Sequence, residues 1–137
     1  MAVIEIKNVA KRFGAVTALH NVDMTIDDKE FMVLLGASGC SRTTLLRIIA
    51  GLETPSEGEV WIGGRRVDNL PPRKRGIAMV FQNYAVFPHL TMFENIAFGL
   101  RMAKTPHDEV QRRVNRTAEQ MHIEQLLQHY SGQLSGG

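Results

Sequence analysis

The sequence contains a single cysteine, Cys40, among 137 residues, and it has no long apolar run. One cysteine excludes an internal disulfide, and this usage is typical of a reducing compartment. No apolar run approaches the roughly 18 residues that a membrane-spanning helix requires. Residues 1–5 lack the basic-then-apolar pattern of a signal peptide. We therefore expect any membrane association to go through a partner.

The chain also carries little excess of positive over negative charge, since its formal net charge is only +2. The short basic runs at residues 65–66, 73–75 and 112–113 are separated by acidic residues, which favours solvated surface over a nucleic-acid site. A hydrophobic content of 44% and a charged content of 22% are ordinary for a soluble globular protein. The length alone is that of one domain.

What the chain does have is a glycine-rich segment, residues 36–44 (GASGCSRTT), between apolar runs at residues 31–35 and 45–50. Strand, glycine-rich loop and helix is the setting of a phosphate-binding loop, whose backbone N–H groups point at an anion. The usual pattern is G-x-x-x-x-G-K-[ST]. Gly36 and Thr43 match it, but Ser41 replaces the second glycine and Arg42 replaces the lysine. This segment needs support from elsewhere in the chain.

Apolar periodicity predicts the strands. Alternation around residues 4–9 and 22–26 predicts two half-buried strands in an antiparallel layer. The continuous runs at residues 31–35 and 77–81 predict two buried strands that lie parallel in one sheet. A short strand at residues 59–62 is expected to end at a Gly-Gly turn.

Helix signals follow the same logic. A helix from Thr43 is expected to end at Gly51, a suitable residue just past a helix end. Thr91 and Glu94 have the spacing of a capping box, which predicts a helix to about Met102.

Thr105 is then expected to cap the next helix, with Pro106 as its first residue and Asp108 in its first turn. The predicted apolar stripe of that helix is Val110, Val114, Ala118 and Met121. A helical turn at residues 123–128 and a loop at residues 131–137 complete the chain.

Four segments occur in order along the chain: residues 36–44, residues 79–84 (MVFQNY), residues 87–91 (FPHLT) and residues 134–137 (LSGG). Together they resemble the ATP-binding subunit of an ABC transporter, of the importer type. The likeness is greatest to subunits that energise uptake of sugars or glycerol phosphates, with polyamine and ferric-iron importers close behind. It implies an incomplete α/β fold of the P-loop NTPase type, with an N-terminal antiparallel β layer and part of the helical subdomain. It also implies a division into residues 1–90 and 91–137.

The resemblance implies ATP and Mg²⁺ as cofactors. The loop would wrap the β- and γ-phosphates, the Thr43 hydroxyl would bind Mg²⁺, and Gln82 would sense Mg²⁺ and the attacking water. Phe13 stands where the family places an aromatic ring that stacks on adenine, and its alternative is a core aromatic at a strand end. The implied nucleotide-binding positions are Phe13, Gly36, Ala37, Ser38, Gly39, Cys40, Ser41, Arg42, Thr43, Thr44 and Gln82.

The resemblance also implies partners. Residues 84–89, from Tyr84 to His89, would grip a cytoplasmic helix of a membrane-spanning permease subunit, although Phe87 could instead fill a local core. Ser135, Gly136 and Gly137 match the motif that contacts ATP on the opposite subunit, in a homodimer or a pair with a full-length ATP-binding subunit. A solute-binding protein would take part indirectly, and the location would be the cytoplasmic face of the cell membrane. His89 has no partner at metal-ligand spacing.

The sequence departs from the family at three points. Arg42 cannot take the compact place of a lysine ammonium, and Ser41 adds a Cβ where the backbone approaches the anion closely. The helix, the strand ending in Asp-Glu and the switch histidine that follow LSGG in the family are not among these residues. We therefore expect a truncated, catalytically impaired form that does not hydrolyse ATP on its own.

Three other interpretations stay open from the residues alone. The chain could be a non-catalytic interaction protein that docks on the permease or on a full-length ATPase. It could be the product of a disrupted gene with no function. An independent P-loop kinase or GTPase is least favoured, because the run at residues 77–81 is followed by Gln82 and not by an acidic Mg²⁺ ligand.

Overall fold

A computed structural model of the chain describes residues 2–35, 40–81 and 85–134. Contacts divide the chain into two compact units, Met1–Met79 and Val80–Gly137. The division into residues 1–90 and 91–137 stays a prediction about the family's subdomains. No helix within the described ranges is long and apolar enough to cross a bilayer.

The first unit is built on a four-stranded antiparallel sheet. Its strands are β1 (Ile4–Phe13), β2 (Val16–Ile26), β3 (Glu57–Ile62) and β4 (Arg65–Arg66), in the spatial order β2-β1-β3-β4. Ile4 of β1 pairs with Ile26 of β2 on one side and with Ile62 of β3 on the other. The predicted antiparallel layer is confirmed, and β3 begins two residues earlier than expected.

Helix α1 (Cys40–Ala50) packs on this sheet. Leu45, Ile48 and Ile49 of the helix join Val9 and Val60 of the sheet in one buried cluster. The helix ends as predicted at Gly51, which has φ of +77°. The Gly51 N–H donates to Ile48 O at 3.1 Å and the Leu52 N–H donates to Arg47 O at 2.9 Å, the paired bonds of a Schellman motif.

The prediction of two buried parallel strands at residues 31–35 and 77–81 is wrong. Neither run is a strand, and Phe31, Leu35 and Val80 are 90%, 87% and 90% exposed. A central strand needs neighbours that bind its backbone groups on both sides. Among the described residues neither run pairs with another segment, so apolar composition alone does not make these residues a strand.

The second unit contains helices α2 (Met92–Met102) and α3 (His107–Met121), followed by 3-10 turns at Glu124–Leu126 and Ser131–Gln133. Its core consists of Ala97, Val110, Val114, Ala118 and Leu127. The capping box is confirmed: the Glu94 N–H donates to Thr91 Oγ1 at 3.2 Å, and the Thr91 N–H donates to Glu94 Oε2 at 2.9 Å. These bonds to Thr91 lower the pKa of the Glu94 carboxyl below its ordinary value.

Two expectations about α3 are wrong. Thr105 is not its cap, because Pro106 occupies the N-cap position with an extended ψ of 145° and the helix begins at His107. Met121 does not belong to the buried stripe, since its side chain is 66% exposed. It is the last residue of the helix, and His122 ends the helix in the left-handed conformation, with φ of 56°. Asp108 lies in the first turn as predicted.

Candidate nucleotide-binding site

The start of α1 carries the predicted phosphate site. The helix begins at Cys40, three residues before the predicted start at Thr43, so the residues that depart from the family pattern lie in its first turn. Ser41 and Thr43 are exposed and Arg42 is half-buried, whereas Thr44 is buried at 5% exposure. Gly36, Ala37, Ser38 and Gly39 lie outside the described residues.

Electrostatics at this helix end favour an anion. The first turns of a helix present N–H groups without helical partners, together with the positive end of the helix dipole. In α1 the first turn carries no acidic side chain, and Arg42 adds a positive charge there. Negative phosphate oxygens are therefore attracted to this end, with the exposed hydroxyls of Ser41 and Thr43 beside it.

The opposite end of α1 is held by Arg75, which sequence analysis missed. Its guanidinium donates four hydrogen bonds, to Ile48 O at 2.7 Å, Ile49 O at 3.0 Å, Asp68 O at 3.0 Å and Leu70 O at 2.7 Å. Two of these acceptors are carbonyls of the last turn of the helix, where a cation complements the dipole. Burial lowers the pKa of Arg75, and the charge of Asp68 partly offsets this.

Arg75 corrects the interpretation of the run at residues 73–75 as solvated surface. Arg73 and Lys74 are exposed, but Arg75 is only 5% exposed. No local signal separates the three basic residues in the sequence. The distinction comes from the position of the α1 carbonyls, which only the folded chain provides.

Phe13, the predicted stacking residue, is the last residue of β1 and lies opposite Val16 of β2. Its side chain is 46% exposed. This exposure disagrees with the alternative of a core aromatic and leaves part of the ring accessible. Stacking on a base stays a prediction, as does the Mg²⁺ role of Gln82, which lies outside the described residues.

The segment that precedes α2 is held by Asn95. Its Oδ1 accepts from the Phe87 N–H at 2.8 Å, and its Nδ2 donates to the carbonyls of Phe87, Leu90 and Thr91 at 3.1, 3.2 and 2.9 Å. The Phe87 ring lies 4.7 Å from the Phe98 ring and 6.1 Å from the His89 ring, between centroids. Phe87 thus has local packing partners.

Apolar side chains next to the Phe87–Phe98 pair nevertheless stay partly exposed. We call Val86, Phe87, Phe98 and Met102 the 86–102 patch, and these side chains are 39%, 39%, 39% and 69% exposed. Tyr84, part of the predicted docking segment, lies outside the described residues. His89 belongs to no group of three metal-ligating side chains in the described part of the chain.

The segment leading to the last motif is tied to the start of α2. The Met92 N–H donates to His129 O at 2.9 Å, the Phe93 N–H donates to Leu127 O at 2.8 Å, and Thr91 forms an antiparallel bridge with Tyr130. Ser135, Gly136 and Gly137 lie outside the described residues, so their contact with ATP stays a prediction.

Comparison with known proteins identifies the family. Residues 19–137 match the ABC transporter family. The chain therefore belongs to the ABC transporter family. Its fold is part of an ABC ATPase cassette fold: a bacterial ABC transporter cassette solved as a dimer superposes with a TM-score of 0.86 at 31% identity, over 97% of this chain and 63% of that chain.

A second solved structure, an ATP-binding cassette dimer in a post-hydrolysis state bound to ADP and Pi, gives a TM-score of 0.85 at 31% identity. It covers the same share of this chain, 97%, and 63% of the cassette chain. The predicted fold class, a partial ABC ATPase fold, is confirmed.

Curated relatives are import or transport ATP-binding proteins. The sn-glycerol-3-phosphate import protein UgpC of Cereibacter sphaeroides is 50% identical over all of this chain and 39% of its own length. The spermidine/putrescine import protein PotA of Oleidesulfovibrio alaskensis is 47% identical over 98% of this chain and 36% of its own length. The alpha-glucoside transport protein AglK of Rhizobium meliloti is 46% identical over 96% of this chain and 36% of its own length. The chain thus spans less than two fifths of the length of these relatives.

Proposed function

We propose that this chain supplies the nucleotide-binding part of an ABC importer, in which ATP binding is coupled to uptake of a small solute such as a sugar, a glycerol phosphate or a polyamine. The observation that carries the proposal is helix α1. It follows a glycine-rich segment, and its C-terminal carbonyls are held by Gly51 and Arg75. Its N-terminal turn is free of acidic side chains.

The residues present fit a Mg²⁺–nucleotide. The N–H groups at the start of α1 would meet the phosphates, the exposed Thr43 hydroxyl would ligate Mg²⁺, and the half-exposed Phe13 ring would take the base. The chemistry that Mg²⁺ supplies when bound is neutralisation of phosphate charge. Gln82 and residues 36–39 would complete the site, as the family resemblance implies.

Ser41 and Arg42 are proposed to weaken this site. The Cβ of Ser41 occupies space that a glycine leaves to the ligand, and a planar guanidinium cannot replace a compact ammonium between two phosphates. We propose that the 137-residue polypeptide binds ATP weakly and does not hydrolyse it on its own.

The 86–102 patch is the proposed contact with the permease at the cytoplasmic side of the membrane. Exposed apolar patches mark protein–protein contact sites. Asn95 fixes the backbone that presents Phe87, so the patch is pre-organised for a partner. ATP would be shared across a pair of ATP-binding subunits through Ser135, Gly136 and Gly137, and the solute-binding protein would meet the permease.

A second candidate function is a non-catalytic docking protein that uses the 86–102 patch alone. Two observations favour it: Ser41 and Arg42 depart from the family pattern in the first turn of α1, and the hydrogen bonds of Asn95 hold the segment before α2 in place. A chain that co-purifies with permease subunits but binds no nucleotide supports this candidate over the first.

The deciding experiment is calorimetric titration of the natural chain and of the variant S41G/R42K with Mg²⁺-ATP. We expect weak Mg²⁺-dependent binding by the natural chain and binding at least about tenfold tighter by the variant, because the variant restores the family's loop pattern. Arg73→Lys, at an exposed arginine, serves as the control for an arginine-to-lysine change away from the site. Failure of both S41G/R42K and the natural chain to bind ATP would refute the proposal.

A further inference from the structure

The Lys11 side chain is unusually enclosed for a lysine. It is only 12% exposed, and lysine is among the residues least often buried unless it is paired. Its ammonium donates to Glu53 Oε1 at 2.7 Å and to Thr54 O at 2.8 Å. The same Nζ lies 4.8 Å from the centroid of the Phe13 ring. The ammonium therefore joins the segment after α1 to the end of β1.

Phe13 and Lys11 can meet because they are two residues apart on β1, and side chains at this spacing share one face of a strand. The ammonium lies over one face of the ring, in the geometry of a cation–π contact. Nearly half of the Phe13 side chain is still exposed, at 46%. The ring is thus supported on one side while part of it stays open to a ligand.

A second set of contacts anchors the same end of β1. The Ser56 N–H donates to Ala10 O at 2.8 Å, and the Arg12 N–H donates to Ser56 Oγ at 3.0 Å. Arg12 also pairs with Glu57 at 2.7 Å, at the start of β3. These bonds bracket Lys11, so the backbone that carries Phe13 is fixed before any ligand arrives.

Glu53 ties this anchor to the C-terminal turn of α1, the helix whose first turn is the proposed phosphate site. It lies three residues after Ala50, and its own N–H donates to Arg47 O at 3.2 Å, within the last turn of α1. The hydrogen bond from Lys11 lowers the pKa of the Glu53 carboxyl, so the carboxylate stays charged at neutral pH. The contact of Glu53 with Lys11, at the Phe13 end of β1, therefore lies at the C-terminal end of α1, and the proposed phosphate site lies at the N-terminal end of that helix.

We propose that Lys11 and Glu53 are positioning residues that hold the Phe13 ring for one-sided stacking on the nucleobase of a nucleoside triphosphate. This inference rests on the proposed nucleotide binding. A ring that is already oriented loses less rotamer freedom on binding. The resulting gain in affinity comes from the contact with the base and does not extend to the phosphates. Because every base has a π face, the support favours nucleotides over bare polyphosphate without choosing strongly among bases.

The test separates the base from the phosphates by measuring Kd for Mg²⁺-ATP and for Mg²⁺-tripolyphosphate in the S41G/R42K chain. The ratio of tripolyphosphate Kd to ATP Kd is the contribution of the nucleoside, and Phe13→Ala gives its value without the ring. We expect Lys11→Met, which keeps most of the apolar stem, and Glu53→Gln to lower this ratio about three- to tenfold. The Kd for tripolyphosphate should not change.

The strand offers a matched control. Lys7 also lies on β1, 4.9 Å from the Trp61 ring centroid, and pairs with Glu5 at 2.9 Å. Lys7→Met removes the same charge and the same kind of ring contact away from Phe13, so it should leave the ratio unchanged. Lys11→Arg, which keeps a cation within reach of Glu53 and the ring, should retain most of the ratio.

The outcomes are distinct. If the chain binds ATP and Lys11→Met leaves the ratio unchanged, the inference is overturned and the proposed function stands. Equal weakening of ATP and tripolyphosphate, together with a lower unfolding midpoint, shows a purely structural ion pair and also overturns it. If the S41G/R42K chain binds neither ligand, the proposed function and this inference both fail. Should Lys11→Met not fold, the ratios measured for Glu53→Gln and Lys11→Arg decide between these outcomes.

Discussion

The cap that Arg75 forms on helix α1 makes the strongest prediction about stability. Its four hydrogen bonds to carbonyl oxygens are charge-assisted, and bonds of this kind contribute about 1.5–3 kcal/mol each when counted singly. Such terms are not additive. Burial of the guanidinium, which lowers the pKa of Arg75, opposes them, and Ile48 O keeps a second donor in the Gly51 N–H.

We therefore expect Arg75→Ala to lower the free energy of unfolding by about 3 kcal/mol, at most half of the bonds' nominal sum. A loss of this size is a large part of the roughly 5–15 kcal/mol that stabilises a typical domain. Arg75→Lys should recover part of the loss, because it restores the charge at the helix end but not the planar fork.

The assay is urea denaturation followed by the fluorescence of Trp61, the single tryptophan, which lies in β3 of the same unit. Arg73→Ala is the control, since Arg73 is exposed two residues away and its removal should cost less than about 0.5 kcal/mol. A loss below about 1 kcal/mol for Arg75→Ala, similar to the control, would show that the carbonyls do not depend on the guanidinium.

Three further predictions concern the start of β3, the start of α2 and the carboxylate beside β4. Gly58→Ala should lower the free energy of unfolding by more than about 3 kcal/mol, because φ is +91° and a Cβ would lie 2.3 Å from a backbone oxygen of β1. Gly64→Ala, where φ is +74° and the space around a Cβ is open, should lower it by about 1–2 kcal/mol. Urea denaturation measures both losses. Thr91→Ala should lower stability by about 0.5–2 kcal/mol through loss of the capping box. Thr105→Ala should change stability little, because Thr105 does not cap α3. Thermal unfolding followed by circular dichroism measures both variants. The hydrogen bond from the neighbouring Arg66 guanidinium lowers the pKa of Asp68. The stability from its charged form is therefore complete above the unfolded pKa, about 4, and is lost as pH falls through the lower folded pKa. Asp68→Asn should therefore flatten the acid limb of a plot of stability against pH.

Each of these predictions has an opposing result. Equal losses for Gly58→Ala and Gly64→Ala would mean that the close approach to β1 relaxes at no cost. A larger loss of stability for Thr105→Ala than for Thr91→Ala would show that Thr105 does cap α3. An unchanged acid limb in Asp68→Asn would assign the acid sensitivity to other carboxylates.

Local features of this protein followed from its sequence. Gly51 ends α1 because a residue without a Cβ adopts a positive φ at little cost, and Thr91 with Glu94 starts α2 because each side chain reaches the backbone of the other. Alternation predicted β1 and β2, since side chains of a strand point to opposite faces in turn. The ordered motifs also predicted the family, which the match over residues 19–137 confirms.

Other features depended on contacts between distant segments. Residues 31–35 are as apolar as a central strand, but a strand exists only where neighbours bind its backbone groups, and a sequence window does not contain those neighbours. Arg75 is indistinguishable from Arg73 until α1 brings its carbonyls within 3.0 Å. Lys11 likewise acquires its role from Glu53, 42 positions away in the chain. Short-range rules determined where α1 ends and where α2 begins. The tertiary structure decided which apolar runs form strands and which side chains are buried and paired, because these features depend on residues far away along the chain.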